Sequence, residues 1–245
     1  MRPFLLLLTA ALLVLGLSEA ALAQDVTLNL GDDGSLATRS VQILILVTVL
    51  SIVPGIAVTL TCFPFIVTVL SILRQAIGLQ QSPPNMLMVS LAMFLTYFVM
   101  EPVFMQSWDT GVQPYVNNEV TLEEAFPLVV DPFRGFMANR IDPDTFAELQ
   151  DLRTDFADVQ GVTRDAPLSL LIPSFLLSEV ARAFQIGFLI FLPFLIIDLV
   201  VSAILMSMGM MMVPPAIVSL PFKLAFFVVA DGWALISSAL VRSYF

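Results

Sequence analysis

Residues 172–198 read IPSFLLSEVARAFQIGFLIFLPFLIID, followed by MSMGMMMVPPA at 206–216 and SLPFKLAFFVVADGW at 219–233. Hydrophobicity alone says that this stretch is buried in lipid or in protein. The polar exceptions say more. Glu179, Arg182, Asp198, Lys223 and Asp231 sit inside or at the ends of apolar runs, where a charge is costly unless it is paired, wet or functional. A methionine-rich turn ending in Pro214 and Pro215 separates two long apolar segments. The expectation is an all-α membrane protein built of proline-broken helical hairpins. No long run here is free of both charge and proline, so these segments are read as packing against other protein chains rather than lipid.

Each exception carries a local expectation. Glu179 and Arg182 are three apart, the spacing of a same-face pair, and read as a self-neutralising pair or as a contact to a neighbouring subunit. If the hairpin turns about Met210 and Met211, Asp198 and Lys223 lie at similar depth on its two arms. They are predicted to form an ion pair across the hairpin or between subunits, because an unpaired buried charge is expensive. The alternative has Lys223 snorkelling to an interface. Asp231-Gly232 echoes intramembrane aspartyl proteases but lacks a companion acid motif. Met210, Met211 and Met212 are unbranched thioethers at a turn, able to adapt to a moving partner while excluding water. A ring of such tips would make a deformable hydrophobic seal.

Composition supports the class. The 245 residues are 58% hydrophobic and 12% charged, with a mean hydropathy of +0.95, outside the globular range. With no histidine and one cysteine, Cys62, the chain lacks Ser-His-Asp and Cys-His triads, HExxH zinc motifs and histidine-ligated haem. Cys62 reads as a small buried hydrophobe. No enzyme activity and no cofactor are expected. A net charge of −10 argues against nucleic acid.

The amino-terminal residues read as an address. Arg2, an apolar run from Phe4 to Leu17 and an A-x-A site at Ala21 and Ala23 make a secretory signal peptide, residues 1–23, cleaved after Ala23. An exported lead-in, 24–40, follows. Residues 41–108 are expected to form a first helical hairpin, kinked near Pro54 and turning between Gly78 and Asn85, with Trp108 as an interfacial aromatic. Residues 109–167 are the polar region; Asp109 to Ala166 carries 12 acidic and 4 basic residues. Thr121 and Glu124 make a capping box. Asp131-Pro132 and Asp142-Pro143 are read as helix starts, and Phe146, Leu149, Leu152, Phe156 and Val159 recur at helical spacing. Residues 168–245 form the second hairpin, with breaks expected at Pro173 and Pro193. An outside start and four apolar segments put the polar region on the outer side too.

Several blocks resemble the FliP family of flagellar export-gate proteins and its injectisome counterparts. They are LSILRQAIGLQQSPPN (70–85), FLTYFVMEPV (94–103), IPSFLLSE (172–179), FQIGF (184–188), PFLIIDLVV (193–201), MGMMMVPP (208–215), and SLPFKL through DGW (219–233). The resemblance implies a core pore-forming subunit of the type III export gate, with its polar helices on the periplasmic side. It implies a homo-oligomer, a pentamer in the family, assembled with FliQ-like and FliR-like subunits and other basal-body proteins at the inner membrane. Unfolded flagellar subunits would pass through the central pore, and Met210, Met211 and Met212 match the gasket that constricts it. One block departs: the family's Thr-Ser-Phe-Thr-Arg-like stretch is here Thr61-Cys62-Phe63-Pro64-Phe65, so a role for that arginine does not carry over. An injectisome gate subunit is the alternative, and an autonomous transporter or channel a more distant one. No Gly-rich phosphate loop is present, so energy must come from partners.

Overall fold

The computed structural model describes residues 36–79, 82–156, 159–210 and 212–245. Among them every regular element is helical, as an all-α membrane protein requires. The chain divides into two compact units at Ser51/Ile52. Helix α1 (Leu36–Thr59) exposes its apolar side chains on every face from Val41 to Ile52. The sequence suggests a kink or a break near Pro54, and the helix runs through that residue without a break. A proline costs an interior helix one backbone bond and a local clash, and Gly55 beside it has open space. The interruption falls instead at 60–62, where Thr61 Oγ1 accepts from Phe63 N at 3.3 Å and donates to the Val58 carbonyl at 2.8 Å. Pro64 then sits in the first turn of the next helix, where its fixed φ and missing N–H do no harm.

That helix, α2 (Phe63–Ile77), is the centre of the second unit. Phe65, Ile66, Val69, Leu70, Leu73 and Ala76 are fully buried, and the helix ends on Gly78 at φ 90, a left-handed stop that favours glycine. Helix α3 (Asn85–Ser107) packs against it through Met88, Ala92, Val99 and Met100. The chain then widens into an underwound π-helical turn, Trp108–Val112, and a short helix, α4 (Gln113–Val116).

The polar region supplies α5 (Leu122–Ala138) and α6 (Pro143–Asp151). The capping box at Thr121 and Glu124 is present, and Asp142 caps α6 by accepting from Asp144 N and Thr145 N. Asp131-Pro132 does not start a helix; it lies inside α5. The carbonyl of Leu128, which Pro132 cannot engage, lies 3.3 Å from the Thr110 hydroxyl, whose shorter bond goes to the Gln106 carbonyl at 2.8 Å, and Asp131 pairs with Arg164. The periodic run after Asp142 stops short: α6 ends at Asp151, leaving Leu152 77% exposed, while Phe146 and Phe156 are buried.

Helix α7 (Leu168–Ser207) is one unbroken helix of 40 residues, about 60 Å long. Pro173 and Pro193 lie within it, so neither produces the expected break. Each removes one interior backbone bond, at the Ser169 and Leu189 carbonyls, without ending the helix. Helices α8 (Pro215–Val229) and α9 (Gly232–Arg242) follow, bent by 61° about Asp231, which adopts φ 47. Ser40–Thr59, Asn85–Val116 and α7 are each long and apolar enough to cross a membrane, and α8 with α9 makes a fourth span if the bent pair is counted as one.

Candidate functional site

Three features mark the second unit, and α7 carries or borders each. The first is the tip between α7 and α8. Ser207 ends α7, Gly209 turns the chain at φ 75, and Pro214 and Pro215 start α8. Met206, Met208 and Met210 are 59%, 67% and 42% exposed, and Met212 is 98% exposed. Met211 lies outside the described residues, as do Ala21 and Ala23. Just behind the tip, between the arms, runs a groove of about 490 Å3 whose lining is wholly apolar and includes Val200, Ile204, Met208, Met210 and Phe222.

The second feature closes that hairpin. Lys223 Nζ lies 2.5 Å from Asp198 Oδ2, and Ser219 Oγ donates to Asp198 Oδ1 at 2.5 Å. Lys223, only 7% exposed, also donates to the Ala76 carbonyl at 3.1 Å. That carbonyl belongs to the last turn of α2, the negative end of its dipole. The only lysine of the chain thus ties both arms of the hairpin to the core helix. Equal spacing about the tip points to the Asp198–Lys223 meeting. Ser219 stands four residues before Lys223, on the same face of α8, a signal that sequence reasoning had available and missed.

The third feature corrects the sequence expectation for Glu179. Its side chain has no solvent exposure, and its partner is Arg140, with Nε 2.9 Å from Oε1, not Arg182. Tyr244 Oη donates to Glu179 Oε2, and Arg140 Nη1 donates to the Ser243 carbonyl at 2.8 Å. The guanidinium also lies 4.0 Å from the Tyr244 ring centroid. Arg182, one turn further on, is half-buried and makes no ion pair among the described residues. Burial pushes the Tyr244 hydroxyl's pKa up, with the Glu179 carboxylate next in effect. Neither Arg140, in a polar linker, nor Tyr244 carries a sequence signal of this role. Fully buried Phe65 packs edge-on to Tyr244 at 5.6 Å, and Arg140 lies 6.0 Å from its centroid. Cys62 is likewise buried, its thiol pushed up to about 12 by burial, which leaves it un-ionised and inert.

Among the described residues, no group of three or more His, Cys, Asp or Glu is placed to hold a metal ion. The arrangement is mechanical: one buried and one partly exposed ion pair brace a long helix, and an apolar tip projects from it. Its class is a multi-span, all-α membrane protein. The FliP family model matches residues 46–240, and the chain belongs to that family. It is 46% identical over 244 residues to the flagellar biosynthetic protein FliP of Caulobacter vibrioides, covering 99% of this chain and 91% of that one. The FliP of Agrobacterium fabrum is 43% identical over the full length of both, and that of Bacillus subtilis 43% over 84% of this chain and 93% of the relative. The chain is therefore a membrane component of flagellar biosynthesis and protein export.

Proposed function

We propose that the chain is a pore-forming subunit of the flagellar type III export gate in the bacterial inner membrane. The observation that carries this is the hairpin tip: exposed methionines between a left-handed glycine and two prolines, backed by an apolar groove. A tip of that kind offers apolar surface that water does not satisfy. Brought together around an axis, several copies would close a pore by dewetting, and flexible thioethers would let an unfolded chain pass while still sealing around it. The Asp198–Lys223–Ser219 cluster keeps the two arms in register, so the tips meet at one depth.

On this proposal copies of the chain assemble in a ring, pentameric by family resemblance, with FliQ-like and FliR-like subunits. The helices of the polar region stand on the periplasmic side, and residues 1–23 are a signal peptide removed on export. The chain has no catalytic role; partners supply the energy. Flagellar clients are favoured over virulence clients because the relatives named above are flagellar biosynthetic proteins.

The test is leakage. Replacing Met210, Met211 and Met212 with alanine is expected to raise the permeability of cells to small solutes while the assembly still forms. An unchanged leak rate with intact assembly would remove the seal from the tip.

A further inference from the structure

A second groove, of about 220 Å3, lies between α7 and α9 and is lined by Ile186, Ile190, Leu235, Ile236, Ala239 and Leu240. Both walls continue in the same direction into a cation. Arg182 precedes Ile186 and Ile190 by one and two turns on α7, and all three are half-buried, on one stripe of the helix. On α9, Leu235 and Ala239 are exposed, and Arg242 extends their stripe by one further turn. Neither arginine makes an ion pair among the described residues. The acid nearest in sequence to Arg182, Glu179, is already engaged by Arg140 and Tyr244.

The arginine end of the groove is also its polar end. Ser243, next to Arg242, and Glu179, one turn before Arg182, are the points where Arg140 joins the polar helices to the apolar ones. In the opposite direction the groove runs down the spans, between apolar side chains only. We propose that this groove binds an anionic phospholipid, one acyl chain lying along Ile186, Ile190 and Ala239 and the phosphate held by Arg182 and Arg242. Two cations at the mouth of an apolar slot complement a headgroup phosphate and a chain together. A zwitterionic lipid offers the same chain, but its own cation repels the two guanidinia.

The experiment uses the full-length chain, purified in mild detergent with equal amounts of phosphatidylglycerol and phosphatidylcholine and read by native mass spectrometry. The wild type is expected to retain phosphatidylglycerol over phosphatidylcholine by about 30-fold, two guanidinia each contributing about tenfold or less at an interface. The Arg182→Gln/Arg242→Gln double variant is expected to retain both lipids equally, with unchanged helix content and self-association. Ala239→Phe, which fills the groove and keeps both charges, is expected to lose both lipids. Unchanged selectivity in the double variant overturns the proposal. So does displacement of the lipid by millimolar inorganic phosphate, which would mean that the groove contributes nothing. Loss of self-association in the double variant also overturns it, by making an acidic group of a neighbouring copy the occupant.

Discussion

Helix α7 carries two acids in its apolar length, about five turns apart, and the chain solves the same electrostatic problem at each in a different way. Glu179 is sealed from solvent, and its partners Arg140 and Tyr244 come from a polar linker and from beyond α9. Asp198 keeps 31% of its side chain exposed, and both its partners, Lys223 and Ser219, come from the facing arm of one hairpin. The first site joins separate parts of the unit; the second holds one local element in shape. A buried charge that loses its partner costs several kcal/mol, whereas a partly wet one recovers some of that from water. The two sites should therefore fail differently.

The largest effect is expected at Glu179. Glu179→Ala leaves Arg140 buried without its carboxylate, a loss of about 3–5 kcal/mol, and should show as a chain that no longer accumulates or melts at much lower temperature. Replacing both partners, Glu179→Leu with Arg140→Met, should recover much of the loss, because an apolar pair leaves no orphan charge. If the single and double variants are equally unstable, the ion pair is not what joins the polar helices to α7. Tyr244→Phe removes one donor and should cost about 1–2 kcal/mol at the same site.

Lys223→Met is the matching break at the second site, with a smaller expected cost of about 1–3 kcal/mol, since water reaches Asp198. Its signature is location: hydrogen exchange should accelerate in α8 and the end of α7, with little change in α5 and α6. Acceleration across the whole second unit would mean that the hairpin is no more local than the Glu179 junction.

The contrast also explains what could be read in the sequence. The Asp198–Lys223 meeting follows from counting residues about the tip, because a hairpin converts sequence distance into depth. Glu179 and Arg182 have equally good helical spacing, but spacing cannot tell which face of α7 is buried, and the buried face chose Arg140 from a segment whose charges look solvated. The prolines misled for a related reason. Pro54, Pro173 and Pro193 are absorbed within helices, and the true interruption before α2 is set by Pro64 and the Thr61 hydroxyl, a pattern that reads as apolar continuity. The capping signals at Thr121 and Asp142 were legible because caps are local chemistry. Asp131-Pro132 shares their wording, but α5 had already begun ten residues earlier.

Between the two acids, Gly187 sets how closely α7 approaches α2. A Cβ there would come within 3.2 Å of the Ile72 Cβ and Cγ2 and closer still to its Cδ1. Gly187→Ala should cost about 1–3 kcal/mol by overpacking, partly relieved by Ile72→Val. Both ionic sites flank this contact, so the variant should loosen them together. Absence of rescue by Ile72→Val would place the strain in the backbone of α7 rather than in the side-chain contact.

The smallest effect is expected far from α7, at the exposed start of α5, where charge is handled without burial. The Thr121 backbone N–H and hydroxyl both donate to Glu124 Oε2, at 2.9 and 3.0 Å, and they hold its carboxyl below the usual value of 4.5, the backbone bond first. A carboxyl whose pKa is lowered by folding contributes stability that is present above its unfolded value and is lost as the pH falls through its folded value. Wild-type stability should therefore decline below about pH 4.5 in part through this cap. Thr121→Ala takes away the hydroxyl and leaves the backbone donor, so it should lower stability slightly at neutral pH and flatten that decline. Glu124→Gln should give up the pH dependence of the cap altogether, because no charge remains to be favoured. Identical acid profiles for wild type and Glu124→Gln would mean that the acid response arises elsewhere. The cap would then be only geometry, unlike the two acids of α7, where charge itself organises the fold.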